Sequence, residues 1–217
     1  MPGHSRPVWW STSTLFRPCV SAAVRHPYVS HCVSEATSNT ITCVLWRAAS
    51  VQGPPLFEVN VVGVQRLMRA TLPTLRAQRD GLVVNIGSIL GRVTFPCLGL
   101  YGASKYALEA LTDSYRYELS QLGIDVGLVQ PSAYPTNLFA AGQRPGDAQT
   151  GTAYGEIGTI PGKMLETFMG IFAAPNAPNP HDVAEAVAKL VATPKGHMSW
   201  RLGIAGSRRV FISIFHI

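Results

Sequence analysis

The sequence predicts an α/β fold built on a doubly wound parallel sheet that is incomplete on its N-terminal side. Two short apolar runs, Leu82–Ile86 and Ile124–Val129, have the composition of buried strands, and a long amphipathic helix pattern separates them. Two parallel strands joined by a helix form a right-handed crossover, which is the repeating unit of such sheets. The chain has 217 residues, 47% of them apolar, which suits one sizeable core and one domain.

The first helix precedes the strand at Leu82. Its apolar residues recur at steps of three or four and form one stripe: Phe57, Val61, Val64, Met68, Leu72 and Leu75. Asp80-Gly81 is predicted to end the connection, and the strand follows at once. After it, Gly91, Pro96 and Gly99 indicate a loop over residues 87–99.

The second helix is predicted from about Tyr101 to Leu122, with Gly123 as its C-terminal cap. Its apolar stripe consists of Leu108, Leu111, Tyr115, Leu119 and Leu122. The strand that follows closes at Pro131. Residues 137–178 are longer than a simple connection requires and predict a flap over a substrate, with a helix around residues 163–172. The last helix is predicted from Asn179, as N-cap, through Val191.

The charge distribution argues against a nucleic-acid partner. The net charge is +6, but residues 1–55 and 198–217 each hold +3, and the middle is neutral with eleven basic and eleven acidic residues. A surface that binds phosphates should lie on the folded domain rather than at both ends of the chain. We therefore expect no nucleic-acid partner.

Other features of the sequence indicate a cytoplasmic, membrane-free protein without a metal site. No apolar run is long enough to span a bilayer. The cysteines form no C-x-x-C pair, and the spacing of His26, His31, Cys32 and Cys43 fits no common metal site, so scattered polar residues are the simpler interpretation. Residues 1–34 are Arg- and Ser-rich without acids, like an organelle transit peptide, but recurrent prolines oppose the helix that such a peptide needs.

A serine, a tyrosine and a lysine follow the first predicted strand at a spacing that suits proton transfer at a carbonyl oxygen. Tyr101 and Lys105 lie one helical turn apart and share a face, so that a cation adjoins a phenol whose pKa must fall for it to act near neutral pH. Ser88 follows the strand end, where α/β sheets place their ligands, and its hydroxyl could hold a substrate oxygen. Asn60, on the preceding helix, could anchor a water that relays protons to Lys105.

In these residues the chain resembles the short-chain dehydrogenase/reductase family from about Leu56 to Lys195. The resemblance implies a Rossmann-like sheet and an NAD- or NADP-dependent oxidoreductase acting on a small carbonyl or secondary-alcohol substrate. It implies Tyr101 as general acid/base, Lys105 as its activator and ribose contact, Ser88 as substrate orienter and Asn60 as relay. Pro131 and Thr136 match the family's nicotinamide-contacting loop, in which Ser132 replaces a glycine. Pairing of subunits through the two predicted helices, as a dimer or tetramer, is implied as well.

The N-terminal part departs from this resemblance. Residues 1–55 contain only Gly3 and Gly53, so no glycine-rich pyrophosphate turn can be drawn, although residues 40–46 could form a strand. We expect three regions: an atypical segment 1–55, the catalytic half 56–197 and an atypical tail 198–217. A frame-shifted or mis-spliced reading would produce such ends. The sheet would then carry an unpaired edge near Val84 and Val126, and the alternative function is a catalytically silent fragment or binding protein.

Overall fold

The computed structural model describes residues 8–11, 53–140 and 152–204. Within them, four parallel strands form one sheet in the order β1-β2-β3-β4. The strands are β1 (Val8–Ser11), β2 (Gly81–Ile86), β3 (Ile124–Pro131) and β4 (Arg201–Ile204). An α/β fold with a parallel sheet confirms the predicted fold class.

Six α-helices are described. They are α1 (Gly53–Phe57), α2 (Gly63–Gln78), α3 (Gly99–Leu119), α4 (Asn137–Ala140), α5 (Ile160–Phe172) and α6 (His181–Ala192). One π-helical turn, Glu58–Val62, joins α1 to α2, and 3₁₀ turns occupy Ile89–Gly91, Ser120–Leu122 and Gly155–Thr159.

Helices cover both faces of the sheet. On one face, α2 and α3 pack against β2 and β3 through a buried cluster that includes Met68, Leu108 and Val83. On the other face, Val187 and Leu190 of α6 pack against Leu82 and other residues of the same strands. Because neighbouring residues of a strand point to opposite faces, β2 is buried on both sides, as its continuous apolar sequence predicts.

The local signals at the helix ends act as predicted. Gly123 has a φ of 76°, the left-handed conformation that ends the turn after α3. At the start of α6, the Asn179 side chain accepts a hydrogen bond of 3.0 Å from the His181 backbone N–H. Both residues therefore satisfy backbone groups at helix termini.

The N-terminal edge of the sheet differs from the prediction. Strand β1 pairs with β2 in parallel, with Trp9 opposite Val83 and Ser11 opposite Asn85, so β2 has a neighbour on both sides. The edge expected near Val84 is therefore paired. The strand proposed for residues 40–46 lies outside the described residues.

The C-terminal segment supplies one strand of the sheet. Residues 201–204 fall within the expected atypical tail, yet they form β4 and pair with residues 128–131 of β3. The Trp200 carbonyl accepts a further backbone hydrogen bond of 2.8 Å from Leu128. At least this part of the tail therefore contributes to the sheet.

The described residues include no helix that combines the length and the apolar character needed to cross a membrane. The candidate ligands His26, His31, Cys32 and Cys43 lie outside these residues.

Candidate active site

Ser88 begins the loop at the carboxyl end of β2. Gly87 still pairs with β3 through a 2.7 Å hydrogen bond to the Val129 carbonyl, so Ser88 occupies the first position beyond the sheet. It is 7% exposed, and its side chain accepts a hydrogen bond of 3.2 Å from the Leu90 backbone N–H. The hydroxyl therefore caps the 3₁₀ turn and is held at the edge where such sheets bind ligands.

Tyr101 and Lys105 lie on the first turns of α3, facing this edge. The Lys105 ammonium donates a hydrogen bond of 3.3 Å to the carbonyl of Ile86, the last residue of β2. It lies 5.7 Å from the centroid of the Tyr101 ring. Lys105 is buried and Tyr101 is half-buried, so both groups belong to a partly desolvated site.

Hydrogen bonding by the Ser88 side chain stabilises the phenolate and lowers the pKa of Tyr101. Burial acts more strongly and raises that pKa above its ordinary value, because a desolvated phenolate is costly. The net direction is opposite to the predicted one. Burial also lowers the pKa of Lys105 to about 8. Desolvation is therefore the main cause of the pKa shift of both groups.

Asn60 lies in the π-helical turn and is 4% exposed. Its amide donates a hydrogen bond of 3.0 Å to the Ser104 hydroxyl, which donates one of 2.7 Å to the Tyr101 carbonyl. Within the described residues, Asn60 thus contacts α3 beside Lys105 through Ser104. The structure brings Asn60, Ser88, Tyr101 and Lys105 to one end of the sheet.

Pro131 and Thr136 are less closely tied to this cluster. Pro131 ends β3, and Thr136 is exposed just before α4. Ser132, which replaces a glycine of the family pattern, donates its backbone N–H to the Ile204 carbonyl at 2.9 Å. Its φ is not positive, since Arg79 and Cys97 are the non-glycine residues with that conformation in the described ranges. The substitution therefore introduces no backbone strain at this position.

An apolar cluster covers the loop beside Ser88. Leu98, Met164 and Phe168 are buried together, with Leu90 and Phe95 of the loop packed against them. Three aromatic rings form a compact triad, with distances between centroids of 5.2 Å for Phe139 and Phe168, 4.9 Å for Phe139 and Phe172, and 6.2 Å for Phe168 and Phe172. Helix α5 therefore lies over the site loop, in the region predicted to form a flap.

Sequence reasoning missed a buried acid in this region. Glu109 lies one turn after Lys105 on α3 and is 4% exposed. Its carboxylate pairs with Arg92 and Arg201 and accepts a hydrogen bond from Gln130. The sequence does carry a signal for it, because Glu109 lies on the same face of the helix as the apolar stripe. An acid on a buried face requires cationic or hydrogen-bonding partners.

The sequence matches a known family over part of its length. Residues 42–145 match the family described as short chain dehydrogenase. The match begins before Leu56 and so includes residues that we expected to be atypical. An uncharacterised oxidoreductase of Schizosaccharomyces pombe is 26% identical over 148 residues, covering 68% of this chain and 59% of that protein. The chain thus spans less than two thirds of that relative's length.

Solved structures resemble the described fold. A short-chain dehydrogenase from Streptomyces avermitilis aligns with a TM-score of 0.62 and 29% identity, covering 82% of this chain and 62% of that one. An alcohol dehydrogenase from the archaeon Thermococcus sibiricus, complexed with 5-hydroxy-NADP, aligns with a TM-score of 0.56 and 22% identity. That alignment covers 76% of this chain and 58% of the archaeal one, and it bears on the fold alone.

Proposed function

We propose that the protein is an oxidoreductase that uses NAD or NADP to interconvert a carbonyl compound and an alcohol, because residues 42–145 match the family described as short chain dehydrogenase. The observation that carries the proposal is the meeting of Ser88, Tyr101 and Lys105 at the carboxyl end of β2. Sheet ligands bind at this edge, and these three side chains supply the groups that a carbonyl oxygen requires.

Lys105 suits the ribose end of a dinucleotide. Its buried ammonium has three N–H donors, and among the described residues one acceptor, the Ile86 carbonyl, contacts them. The remaining donors are available to ribose hydroxyls. Pro131 and Thr136 follow β3 at the same end of the sheet and would line the nicotinamide side. When bound, the nicotinamide supplies or accepts the hydride.

Tyr101 is the proposed proton donor and acceptor. In the direction of carbonyl reduction, its hydroxyl donates the proton that the substrate oxygen gains. The raised pKa keeps the phenol protonated at neutral pH, which suits this direction. Ser88, whose hydroxyl lowers the pKa of Tyr101, would hold the substrate oxygen beside that phenol. Asn60 and Ser104 brace the helix backbone at Tyr101 and keep it in place.

The apolar cluster around Leu98, Met164 and Phe168 favours a substrate with an apolar group. Leu98 and Phe168 are buried beside the site loop, and α5 supplies further apolar side chains above it. An apolar group next to the reacting carbonyl would bury against these residues with a favourable transfer free energy.

Titration with NADH and NADPH tests the cofactor part of this proposal. We expect saturable quenching or enhancement of coenzyme fluorescence and a higher melting temperature, since a ligand that binds the folded state stabilises it. Folded protein that binds neither coenzyme would contradict the proposal and favour the silent alternative.

A pair of tyrosine variants tests the chemical part. Tyr101→Phe should lose carbonyl reduction by a factor of about 100 or more and still bind the coenzyme, because it removes the proton donor alone. Tyr106→Phe is the matched control, since Tyr106 is 40% exposed on the same helix. Equal rates for the two variants would exclude Tyr101 as the general acid.

A further inference from the structure

The buried carboxylate of Glu109 connects three elements around the site. Its partners come from β3 (Gln130), from the residue after the 3₁₀ turn (Arg92) and from β4 (Arg201). The Arg92 Nε lies 2.6 Å and the Arg201 Nη1 3.3 Å from Oε2, while the Gln130 amide donates to Oε1. The side chain of Glu109 is 5% exposed, so its carboxylate is poorly solvated and requires such partners.

The contact with Arg92 reaches Ser88 through one continuous turn of backbone. The Gly91 N–H donates to the Ser88 carbonyl at 2.9 Å, and the Arg92 N–H donates to the Ile89 carbonyl at 2.9 Å. Backbone hydrogen bonds therefore tie residues 88–92 into one turn. Holding Arg92 against α3 also holds Ser88 against α3.

Gly91 shows how closely this turn approaches the helix. It is buried, and a Cβ built on its backbone would collide with the carboxylate of Glu109. Only glycine allows the turn to rest directly on the carboxylate. The turn and the acid are therefore fitted to each other, and Glu109 does more than neutralise a surface arginine.

We propose that Glu109 is a positioning residue, which clamps the turn 88–92 onto α3 and thereby keeps the Ser88 hydroxyl beside the Tyr101 phenol. The catalytic role of this contact rests on the proposed function, in which Ser88 and Tyr101 act together on the substrate oxygen. Asp113, one turn further along α3, pairs with Arg201 at 3.1 Å and makes no ion pair with the turn in the described residues. It provides a matched control.

The direction of change in the pKa of Tyr101 tests this inference without coenzyme or turnover. A ring-fluorinated tyrosine, whose phenol is more acidic, is placed at position 101 of the full chain and titrated by fluorine NMR. In Glu109→Gln, loss of the Ser88 hydrogen bond should raise the pKa of this phenol, as in Ser88→Ala. Removal of a negative charge alone would lower it. The two explanations therefore predict opposite signs.

The expected result is a rise in Glu109→Gln similar to that in Ser88→Ala, no further rise in the double variant and no change in Asp113→Asn. A fall or no change in Glu109→Gln would overturn the proposal. Should that variant not fold, Arg92→Met serves instead, since Arg92 is half exposed. If Arg92 acts by holding Ser88 in place, Arg92→Met should not change the pKa of the phenol once Ser88 is already alanine. If it acts only through its positive charge, Arg92→Met should raise that pKa in the Ser88→Ala protein as well.

Turnover separates this inference from the proposed function. In an active protein, Glu109→Gln should lower kcat by roughly 10- to 100-fold and leave the KM of the coenzyme unchanged, because a small displacement of Ser88 misplaces the substrate oxygen. Unchanged kcat in active Glu109→Gln would also overturn it. In an inactive protein, the titration alone decides, and the failed activity counts only against the proposed function.

Discussion

At the scale of single residues, Lys105 combines a charge with burial. The residue is 6% exposed, and burial lowers its pKa from an ordinary value of 10.5 to about 8. Between these two values the unfolded chain binds more protons than the folded one, so the stability of the fold rises with pH across that window. Below about pH 8 the lysine is charged in both states and its destabilising effect is complete, on the order of 3 kcal/mol.

Lys105→Met should therefore stabilise the protein at neutral pH. We expect the free energy of unfolding at pH 7 to increase by about 1 to 3 kcal/mol, because loss of the Ile86 hydrogen bond offsets part of the gain. The difference from the unsubstituted protein should shrink as pH rises from 8 towards 10.5. Denaturant unfolding across this range measures it, and a difference independent of pH would contradict the buried-charge explanation. Residues placed for function often destabilise a fold, so replacing one of them often stabilises the protein.

At the scale of secondary-structure elements, the helix before β2 shows how a local irregularity places a site residue. The sequence predicts one regular helix, but a π-helical turn at Glu58–Val62 interrupts it. A π turn contains an extra residue, so it rotates the helix on its N-terminal side relative to the helix on its C-terminal side. Asn60 is consequently buried against Ser104, while Val62 is 37% exposed. Helices with such turns often place them at functional sites.

The connection from α3 to β3 depends on Gly123. Its φ is 76°, and a Cβ there would press against the Arg79 carbonyl and the Lys195 ammonium. Gly123→Ala should destabilise the fold by at least about 1 to 2 kcal/mol, the cost of a left-handed residue with a side chain. Gly162→Ala is the control, since Gly162 lies within α5 with open space around it and alanine favours helix there. Thermal unfolding of both variants should show opposite directions of change.

At the scale of the whole molecule, β1 brings residues 8–11 to the sheet. It covers one edge of β2, opposite residues 82–85, and without it β2 would present a row of unpaired backbone groups. Such an edge promotes association between chains. We therefore expect the β1 pairing to favour solubility as well as stability.

Proline substitutions in β1 test this pairing. Successive residues of a parallel strand direct their N–H groups to opposite sides, so only one of Trp9→Pro and Trp10→Pro should remove a hydrogen bond to β2. That variant should lose about 1 to 2 kcal/mol relative to the other and associate more strongly. Denaturant unfolding and light scattering of the two proteins measure these effects. Two variants that both match the unsubstituted protein would show that the β1 pairing does not contribute.

The elements that the sequence predicted share a local origin. The stripe of Leu108, Tyr115 and Leu119 and the buried character of β2 follow from periodicities within a few turns or residues of chain. The spacing of Tyr101 and Lys105 likewise places both on one helical face wherever the helix lies. Most of α2, α3, β2, β3 and α6, and the members of the Ser88 cluster, could therefore be predicted.

Local patterns in the chain thus account for the helices, the central strands and the residues that suit carbonyl chemistry. Three other features emerge from the folded molecule: residues 8–11 join the sheet, Arg201 reaches Glu109 from β4, and burial raises rather than lowers the pKa of Tyr101. These features depend on groups that are far apart in sequence and on how completely water is excluded between them. Pairing and desolvation are properties of the packed molecule, so no local pattern encodes them.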